Sequence, residues 1–169
     1  MAKIVNVVAS CSNTGKTVLI EGLIKELKNR GYTVATIKHD VHGFDIDKEG
    51  KDTWRHRKAG AEAVIISSKE RMALIREVQE EVPLEELIKQ VEDFDFIIIE
   101  GYKKSKYRKL EVYRQGISKK IITPKEKLIG VASDVSLSLE GVRVVNLNNY
   151  EEIANLVIEN WYKSPSLKI

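Results

Sequence analysis

Apolar residues in this chain form short unbroken runs, and polar stretches with glycine or charged residues separate one run from the next. Short runs of this kind predict β-strands. One of them ends Ile97-Ile98-Ile99, and such continuous apolar sequence is typical of a strand covered on both faces of a parallel sheet. The predicted strands are Ile4–Ser10, Val34–Lys38, Ala63–Ser67, Met72–Ile75, Phe94–Ile99, Leu110–Tyr113, Leu128–Ala132 and Val142–Leu147.

Helices are predicted where apolar residues recur three and four positions apart. The first stripe is followed by Gly31, which is expected as a helix C-terminal cap, and Pro83 is suited to open a later helix. Because strands and helices alternate, we predict a three-layer α/β fold with a mainly parallel central sheet and ligands at the carboxyl ends of its strands. The predicted helical segments are the stripe Leu19, Ile20, Leu23, Ile24 and Leu27, the ranges Thr53–Ala59 and Leu84–Val91, and the stripe Ile153, Leu156, Val157 and Trp161.

Composition and charge narrow the class of protein. The chain has 169 residues, of which 43% are apolar, enough for one globular core. Its one cysteine, Cys11, excludes a disulfide framework within the chain and favours a reducing compartment, so we expect a cytoplasmic protein. A net charge of +3 is too balanced for a dedicated nucleic-acid binder. No run approaches the roughly 18 apolar residues of a membrane span, so we expect neither nucleic acid nor membrane as a partner.

The strongest candidate for chemistry is the polar loop Ser10–Thr17, between the first predicted strand and the first predicted helix. It resembles the Walker A motif, with Ser10 in the place of the first glycine. Gly-Lys-Thr alone is common by chance, and its position between a strand and a helix is what favours phosphate binding. Lys16 would span the β- and γ-phosphates, and the Thr17 hydroxyl would bind Mg²⁺. Backbone amides would surround the phosphate oxygens at Asn13, Thr14, Gly15, Lys16 and Thr17. We predict a single P-loop nucleotide-binding domain over residues 1–169, with a P-loop NTPase-like fold.

Two acidic residues stand at the ends of predicted strands. Glu100 would bind Mg²⁺ directly or through water, or orient an attacking water, so Glu100 and Lys16 are the candidate catalytic residues. A surface residue that merely ends the strand is the alternative for Glu100. Asp134 would accept hydrogen bonds from guanine N1–H and N2–H₂, and it resembles the end of an N-K-x-D motif without the Asn and Lys. An Asx turn or a helix cap is the alternative for Asp134.

The long polar loop after the second predicted strand has a distinctive order of charged residues. It reads Lys38-His39-Asp40-x-His42, then Asp45-x-Asp47, Gly50-Lys51-Asp52-Thr53 and Arg55. Together with the phosphate loop, Ile99-Glu100-Gly101-Tyr102-Lys103, Leu110-Glu111-Val112 and Val131-Ala132-Ser133-Asp134, this order resembles the molybdopterin-guanine dinucleotide biosynthesis protein B (MobB) family. The resemblance covers the chain from about Lys3 to Trp161. The departure is Ser10, where the family usually has glycine, and it bears on how tightly nucleotide binds.

The resemblance implies a GTP-binding adapter with weak GTPase activity, which assists the synthase that joins GMP to molybdopterin. It implies a homodimer, GTP and Mg²⁺ as cofactors, and the synthase and molybdopterin as partners. The family loop maps to His39, Asp40, Asp45, Asp47, Lys51, Asp52 and Arg55. Aspartates facing the phosphate loop would complete the Mg²⁺ shell, and Lys51 and Arg55 would contact phosphate on nucleotide or pterin. Asp52 is also suited to cap the helix that begins near Thr53.

Other interpretations stay open from the sequence. The same loop would serve a small-metabolite kinase using ATP or GTP, with Asp40 or Asp52 orienting the acceptor, or a binding module that no longer retains nucleotide. His39 and His42 are a weak indication of metal delivery, because two histidines do not define a closed site. The basic run Lys103–Lys109 either holds the molybdopterin phosphate or an acidic partner surface, or is a solvated loop.

Overall fold

The structure, a computed structural model, describes residues 2–162, with side chains as far as residue 160. Its strands are β1 Lys3–Val8, β2 Val34–Lys38, β3 Ala63–Ser67, β4 Met72–Arg76, β5 Phe96–Glu100, β6 Lys109–Tyr113, β7 Leu128–Ser133 and β8 Val144–Asn146. Its helices are α1 Lys16–Asn29, α2 Asp52–Lys58, α3 Leu84–Lys89 and α4 Tyr150–Tyr162, with a 3₁₀ turn at Lys125–Lys127. The side chain of Trp161, predicted on the last helix, lies outside the described residues. No helix in the described part of the chain is long and apolar enough to cross a membrane.

Six strands form one sheet in the order β2-β5-β1-β6-β7-β8, and every neighbouring pair in it is parallel. The predicted parallel central sheet is therefore confirmed. At its centre, Val7 of β1 lies in register with Glu100 of β5 on one side and with Leu110 of β6 on the other. Because all six strands run in the same direction, the loops that follow β1, β5, β6 and β7 meet at one edge of the sheet, where ligands bind in folds of this class.

Helices α1 and α4 cover one face of this sheet. The apolar stripe predicted for α1 is buried, and it packs with α4 over alternate residues of the strands because successive strand residues point to opposite faces. Gly22 of α1 leaves room for the ring of Tyr150, which any larger side chain would displace. The buried cluster includes Val5 and Val7 of β1, Phe96 and Ile98 of β5, Leu110 and Val112 of β6, and Ile153, Leu156 and Val157 of α4.

The opposite face of the sheet contains buried polar residues at its centre. Asn6 of β1 donates from Nδ2 to the Tyr102 carbonyl at 3.1 Å and to Ser105 Oγ at 2.7 Å. The neighbouring Lys109 is 2% exposed, and its Nζ donates to the carbonyls of Ser105 and Tyr107. Burial lowers the pKa of the Lys109 amino group. Lys109 therefore holds the loop after β5 against the sheet. Both interpretations of the basic run, a phosphate-binding or partner-binding patch and a solvated loop, are wrong for this lysine.

Glu111 anchors a second loop on the same face. Its carboxylate is 1% exposed and accepts hydrogen bonds of 2.8 Å from the backbone amides of Ile122 and Thr123. Charged acceptors form the stronger class of protein hydrogen bond. Leu110 and Val112 thus point to the face of the sheet that the helices cover. Glu111 points to the opposite face, under the loop that connects β6 to β7.

The chain forms two compact units, and each is described by itself. The larger contains the residues up to His39 and those from Ile88 onward, and the smaller is Asp40–Leu87. In the smaller unit β3 and β4 pair as an antiparallel hairpin, from Ala63 opposite Arg76 to Ser67 opposite Met72. That the chain works as one nucleotide-binding domain over residues 1–169 stays a prediction.

Two local expectations are wrong. Helix α2 begins at Asp52, and the N-cap position is occupied by Lys51, whose side chain makes no cap hydrogen bond. Asp52 is therefore a first-turn residue that favours the helix through its dipole, and not the cap. The last strand is only Val144–Asn146, shorter than the apolar run Val142–Leu147, because Leu147 donates its amide to Ser133 beyond the end of the ladder and then enters a turn.

Candidate nucleotide-binding site

The loop between β1 and α1 is shaped for an anion. Gly15 is the N-cap of α1 with φ +96°, and Asn13 has φ +60°, so the chain turns through the left-handed region twice. Ser10 is not among the described residues with positive φ, so a serine fits the place of the first Walker glycine without backbone strain. No side chain caps α1 and its first turn contains no acidic residue. The amides at this helix start therefore remain available to phosphate oxygens.

Two lysines donate hydrogen bonds to backbone carbonyl groups of this loop. Lys16 Nζ donates to the Cys11 carbonyl at 3.2 Å, and Lys103 Nζ donates to the Ser10 carbonyl at 3.2 Å. Burial lowers the pKa of the Lys16 amino group, the carboxylate of Glu100 opposes that shift, and Lys103 adds to it. Two ammonium groups and the positive end of α1 thus gather at one loop, an arrangement that favours a polyanion. Lys103 is the member of the basic run that lies at the candidate site.

Glu100 ends β5 beside the phosphate loop, and the backbone turns sharply after it. Gly101 has φ +92°, and a Cβ there would lie 3.1 Å from the Cβ of His39. Tyr102 has φ +44°, and its ring stacks on that of His39 with centroids 4.3 Å apart. His39 also donates its backbone amide to the Glu100 carbonyl at 3.0 Å. The structure therefore brings His39, Glu100 and Lys16 to the same end of the sheet.

Oxygen donors for Mg²⁺ are present at this end of the sheet. The Thr17 hydroxyl lies on the second residue of α1 and is exposed, and the Glu100 carboxylate is close enough to Lys16 to act on its pKa. A hydroxyl and a carboxylate are the hard ligands that Mg²⁺ takes, with water and nucleotide phosphates completing its octahedron. The donor set fits the predicted metal ligands Thr17 and Glu100.

Asp134 follows β7 at the same edge of the sheet, two strands away from β1. Its Oδ1 accepts the backbone amide of Gln115 at 2.9 Å, which links it to the turn after β6. A cavity of about 290 Å³ opens beside it, lined by Ser133, Asp134, Val135, Ser136, Leu137, Val144, Val145 and Asn146. The second carboxylate oxygen of Asp134 has no hydrogen-bond partner among the described residues, and a small planar ligand of nucleobase size suits a cavity of this volume.

Arg114, which the sequence analysis did not single out, begins the turn after β6. Its guanidinium lies against the phosphate loop, and Cys11 of that loop donates from Sγ to the Ile117 carbonyl at 3.4 Å. We call residues Arg114–Ser118 the β6 turn. Its position in the sequence is the one indication of a role in the site. Arg114 directly follows a predicted strand, just as Glu100 and Asp134 stand at or directly after the ends of β5 and β7.

The remaining predicted site residues lie in the smaller unit. Asp45 and Asp47 both bond the guanidinium of Arg57, at 2.8 and 2.7 Å, and Glu77 joins them at 3.1 Å. The hydrogen bond from Arg57 holds the pKa of the Asp47 carboxyl below its usual range, and the three carboxylates raise the pKa of Arg57. Arg57 is the centre of this group, and no local pattern in the sequence marks it as such. The shared guanidinium orders the Asp45–Asp47 segment against α2.

The other loop residues are exposed around the start of α2. Asp40 accepts the backbone amide of His42 at 3.0 Å in a local turn. Lys51, Asp52 and Arg55 are exposed, and the Arg55 amide donates to the Lys51 carbonyl at 2.9 Å as the first turn of α2. Their binding roles stay predictions.

A parallel sheet whose central strand leads through a glycine-lysine-threonine loop into a helix defines the P-loop class of nucleotide-binding folds. The model of one family in this class, molybdopterin guanine dinucleotide synthesis protein B (MobB), matches residues 4–134. The chain belongs to that family.

Curated relatives and solved structures agree. The chain is 38% identical over 160 residues to the molybdopterin-guanine dinucleotide biosynthesis adapter protein of Escherichia coli, covering 89% of each chain. It is 36% identical over 152 residues to the adapter protein of that name from Haemophilus influenzae, covering 89% of this chain and 84% of the relative. The crystal structure of Bacillus subtilis MobB superposes with a TM-score of 0.70 at 23% identity, over 93% of this chain and 96% of that one, and shows the shared fold. These relatives do not favour the kinase alternative.

Proposed function

We propose that this protein is a GTP-binding adapter in molybdopterin guanine dinucleotide biosynthesis, which hydrolyses GTP slowly and assists the guanylyl-transferring synthase. Its membership of the family and its similarity to adapter proteins of this pathway support the adapter role. The observation that carries the nucleotide-binding part is the phosphate loop, where Lys16 and Lys103 lie on loop carbonyls beside an uncapped helix start.

In this proposal the loop amides and Lys16 hold the β- and γ-phosphates, and Thr17 and Glu100 hold Mg²⁺. The bound Mg²⁺ would neutralise charge on the phosphates. Glu100 orients the attacking water from the end of β5. Asp134 accepts a hydrogen bond from the guanine edge through Oδ2, and through Oδ1 once that oxygen leaves the Gln115 amide. A guanine that binds both carboxylate oxygens thus competes with the Gln115 amide for Oδ1. We therefore expect only a modest selectivity for GTP over ATP.

The remaining predicted residues complete the proposal. Asp40, Asp45, Asp47, Lys51, Asp52 and Arg55 of the smaller unit contact phosphate or pterin. His39, at the end of β2 in the larger unit, has the same role in this proposal. The exposed Lys51 and Arg55 are suited to phosphate, and the pairing of Asp45 and Asp47 with Arg57 supports a positioning role for these two carboxylates.

We further propose that the protein works as a homodimer in the cytoplasm and that the hairpin of β3 and β4 contributes to the interface. Ile65, Met72 and Leu74 lie on one face of this hairpin and are 66, 65 and 47% exposed. Apolar side chains grouped on one face are typical of association surfaces. Sedimentation equilibrium of Ile65→Asp combined with Leu74→Asp should give a monomer, whereas Lys69→Asp at the hairpin tip should stay a dimer. A monomeric wild-type protein would overturn this part.

The nucleotide-binding part is tested by calorimetric titration with GTP and with ATP, with and without Mg²⁺. We expect GTP to bind more tightly than ATP and Mg²⁺ to strengthen binding. Lys16→Ala should abolish binding, and Lys25→Ala, an exposed lysine on the same helix, should leave it unchanged. Absence of binding in the wild type, or binding that survives Lys16→Ala, would contradict the proposal. Wild type should then stimulate guanylyl transfer to molybdopterin by the purified synthase, and Lys16→Ala should not.

A further inference from the structure

The β6 turn contacts the phosphate loop through a charged side chain that the proposed function does not use. Arg114 Nε donates to the Thr14 carbonyl at 3.2 Å. A Cβ placed on Gly15 would lie 3.2 Å from Arg114 Nη2, so the guanidinium lies directly against the N-cap of α1. The turn itself is closed by hydrogen bonds from the Arg114 amide to Ser118 Oγ at 3.0 Å and from the Ser118 amide to the Arg114 carbonyl at 2.8 Å.

This guanidinium adds a further positive charge to a loop where positive charge already gathers. It lies at the positive end of the α1 dipole, on a loop that also contacts the ammonium groups of Lys16 and Lys103. The first turn of α1 contains no acidic residue, and Arg114 makes no ion pair among the described residues. Arg114 donates to the Thr14 carbonyl through Nε. The two terminal nitrogens of its guanidinium therefore remain available to donate side by side to phosphate oxygens.

Topology decides which phosphates this fork would reach. β6 lies on one side of β1, and β5 with Glu100 lies on the other, where Glu100 acts on Lys16. The same β6 turn contacts Asp134 through the Gln115 amide, so it stands between the phosphate loop and the cavity proposed for the base. Arg114 therefore contacts the loop from the β6 side of β1, opposite β5 and Glu100. We call the β6 side the nucleoside side, because the β6 turn also contacts Asp134 beside the cavity proposed for the base.

We propose that Arg114 binds the α- and β-phosphates of the nucleotide from the nucleoside side, and that it holds GTP and GDP alike. The inference rests on the proposed function, because it concerns the same site. It differs from a purely structural role, in which Arg114 only keeps the Thr14 carbonyl in place.

The test is calorimetric titration of the full chain with GTP and with GDP, in the presence of Mg²⁺. Arg114→Ala should weaken both nucleotides by a similar factor of about ten or more, as expected for loss of a charged hydrogen bond. Arg114→Lys keeps the charge without the fork and should recover part of the loss. Lys119→Ala changes the net charge equally at an exposed position just after the turn and should bind as the wild type does.

Phosphorus NMR of bound GDP separates phosphate contact from loop support. Arg114→Lys should move the α- or β-phosphate resonance, whereas Lys119→Ala should not. Unchanged resonances, or equal affinities for wild type and Arg114→Ala, would overturn the inference while leaving GTP binding intact. A loss confined to GTP would place the guanidinium at the γ-phosphate and overturn the assignment to the nucleoside side. If the wild type binds neither nucleotide, the proposed function fails first.

Discussion

Lys16 donates a hydrogen bond from Nζ to the carbonyl oxygen of Cys11, five residues earlier in the same loop, at 3.2 Å. This hydrogen bond joins the two ends of the phosphate loop. An incoming phosphate must therefore bind the lysine ammonium group more favourably than this carbonyl does. Burial also lowers the pKa of this amino group, so its charge is held at a cost to the folded protein.

Lys16→Met should separate stability from binding. Methionine has a similar length and no charge to bury, so the nucleotide-free variant should melt at or above the wild-type temperature. Wild type with GTP at a hundred times its Kd should gain about 2.7 kcal/mol of stability, and the variant should gain none. Thermal melts with and without GTP and Mg²⁺ measure both quantities. Equal stabilisation of the two proteins by GTP would show that Lys16 does not contact the phosphates.

Ser10→Gly and Gly15→Ala should have opposite consequences at the two ends of the loop. Ser10 needs no positive φ, so glycine there should change GTP affinity by less than about threefold. Gly15 has φ +96° and its added Cβ would lie 3.2 Å from Arg114 Nη2, so alanine there should weaken binding at least tenfold. Calorimetric titration with GTP measures both changes in affinity. A large gain in affinity with Ser10→Gly would mean that the serine does distort the loop.

Asp95 should make stability depend on acid pH. Its Oδ2 accepts from the backbone amide and the hydroxyl of Thr33, both at 2.8 Å, and these bonds hold the pKa of the carboxyl below its usual range. Because the folded pKa is depressed, the stabilisation is present above the unfolded value and is lost as pH falls through the folded one. Asp95→Asn should therefore lower the urea midpoint at pH 7, and the difference from wild type should shrink only as the pH falls through the depressed folded pKa.

A constant difference between wild type and Asp95→Asn across this range would exclude the ionised carboxylate as the cause. Asp93→Asn provides the matched control, because it removes an exposed acidic residue from the same segment.

Glu111→Ala should destabilise the larger unit more than a surface change does. The substitution removes a buried acceptor and leaves the amides of Ile122 and Thr123 without it, which should lower the free energy of unfolding by about 2–4 kcal/mol. Glu111→Gln keeps one acceptor oxygen and should cost less. Urea unfolding measures the change, with the exposed Glu126→Ala as control. A Glu111→Ala protein as stable as that control would mean that the loop does not depend on the carboxylate.

Arg57→Ala should loosen the smaller unit. Without the guanidinium, Asp45, Asp47 and Glu77 are like charges close together, so amide hydrogen exchange should quicken from residue 45 through α2. Arg57→Lys should exchange at an intermediate rate because lysine cannot bridge three carboxylates with a planar fork. Lys48→Ala, an exposed change in the same segment, serves as comparison. Unchanged exchange in Arg57→Ala would show that the ion pairs do not order this segment.

The pattern of the sequence was sufficient for the elements and for part of the site. Each of the eight predicted strands has a counterpart in the described structure, because a short apolar run is a local property that neighbouring residues encode, whether the strand is buried or, like β3 and β4, largely exposed. Glu100 and Asp134 could be chosen for a related reason. In a parallel sheet all carboxyl ends lie at one edge, so a polar residue at the end of a buried run is a site candidate before any contact is known.

Contacts between distant parts of the chain were decided only by the tertiary structure. Arg114 and Thr14 are 100 residues apart and meet because β6 pairs directly with β1, a neighbour relation that periodicity does not contain. Lys109 belongs to a basic run in the sequence, yet the fold buries it under the loop after β5. The sequence by itself determined which residues form strands, helices and the phosphate loop, since these depend on local spacing. Strand order and loop packing determined which charges meet, since these depend on residues far apart in the chain.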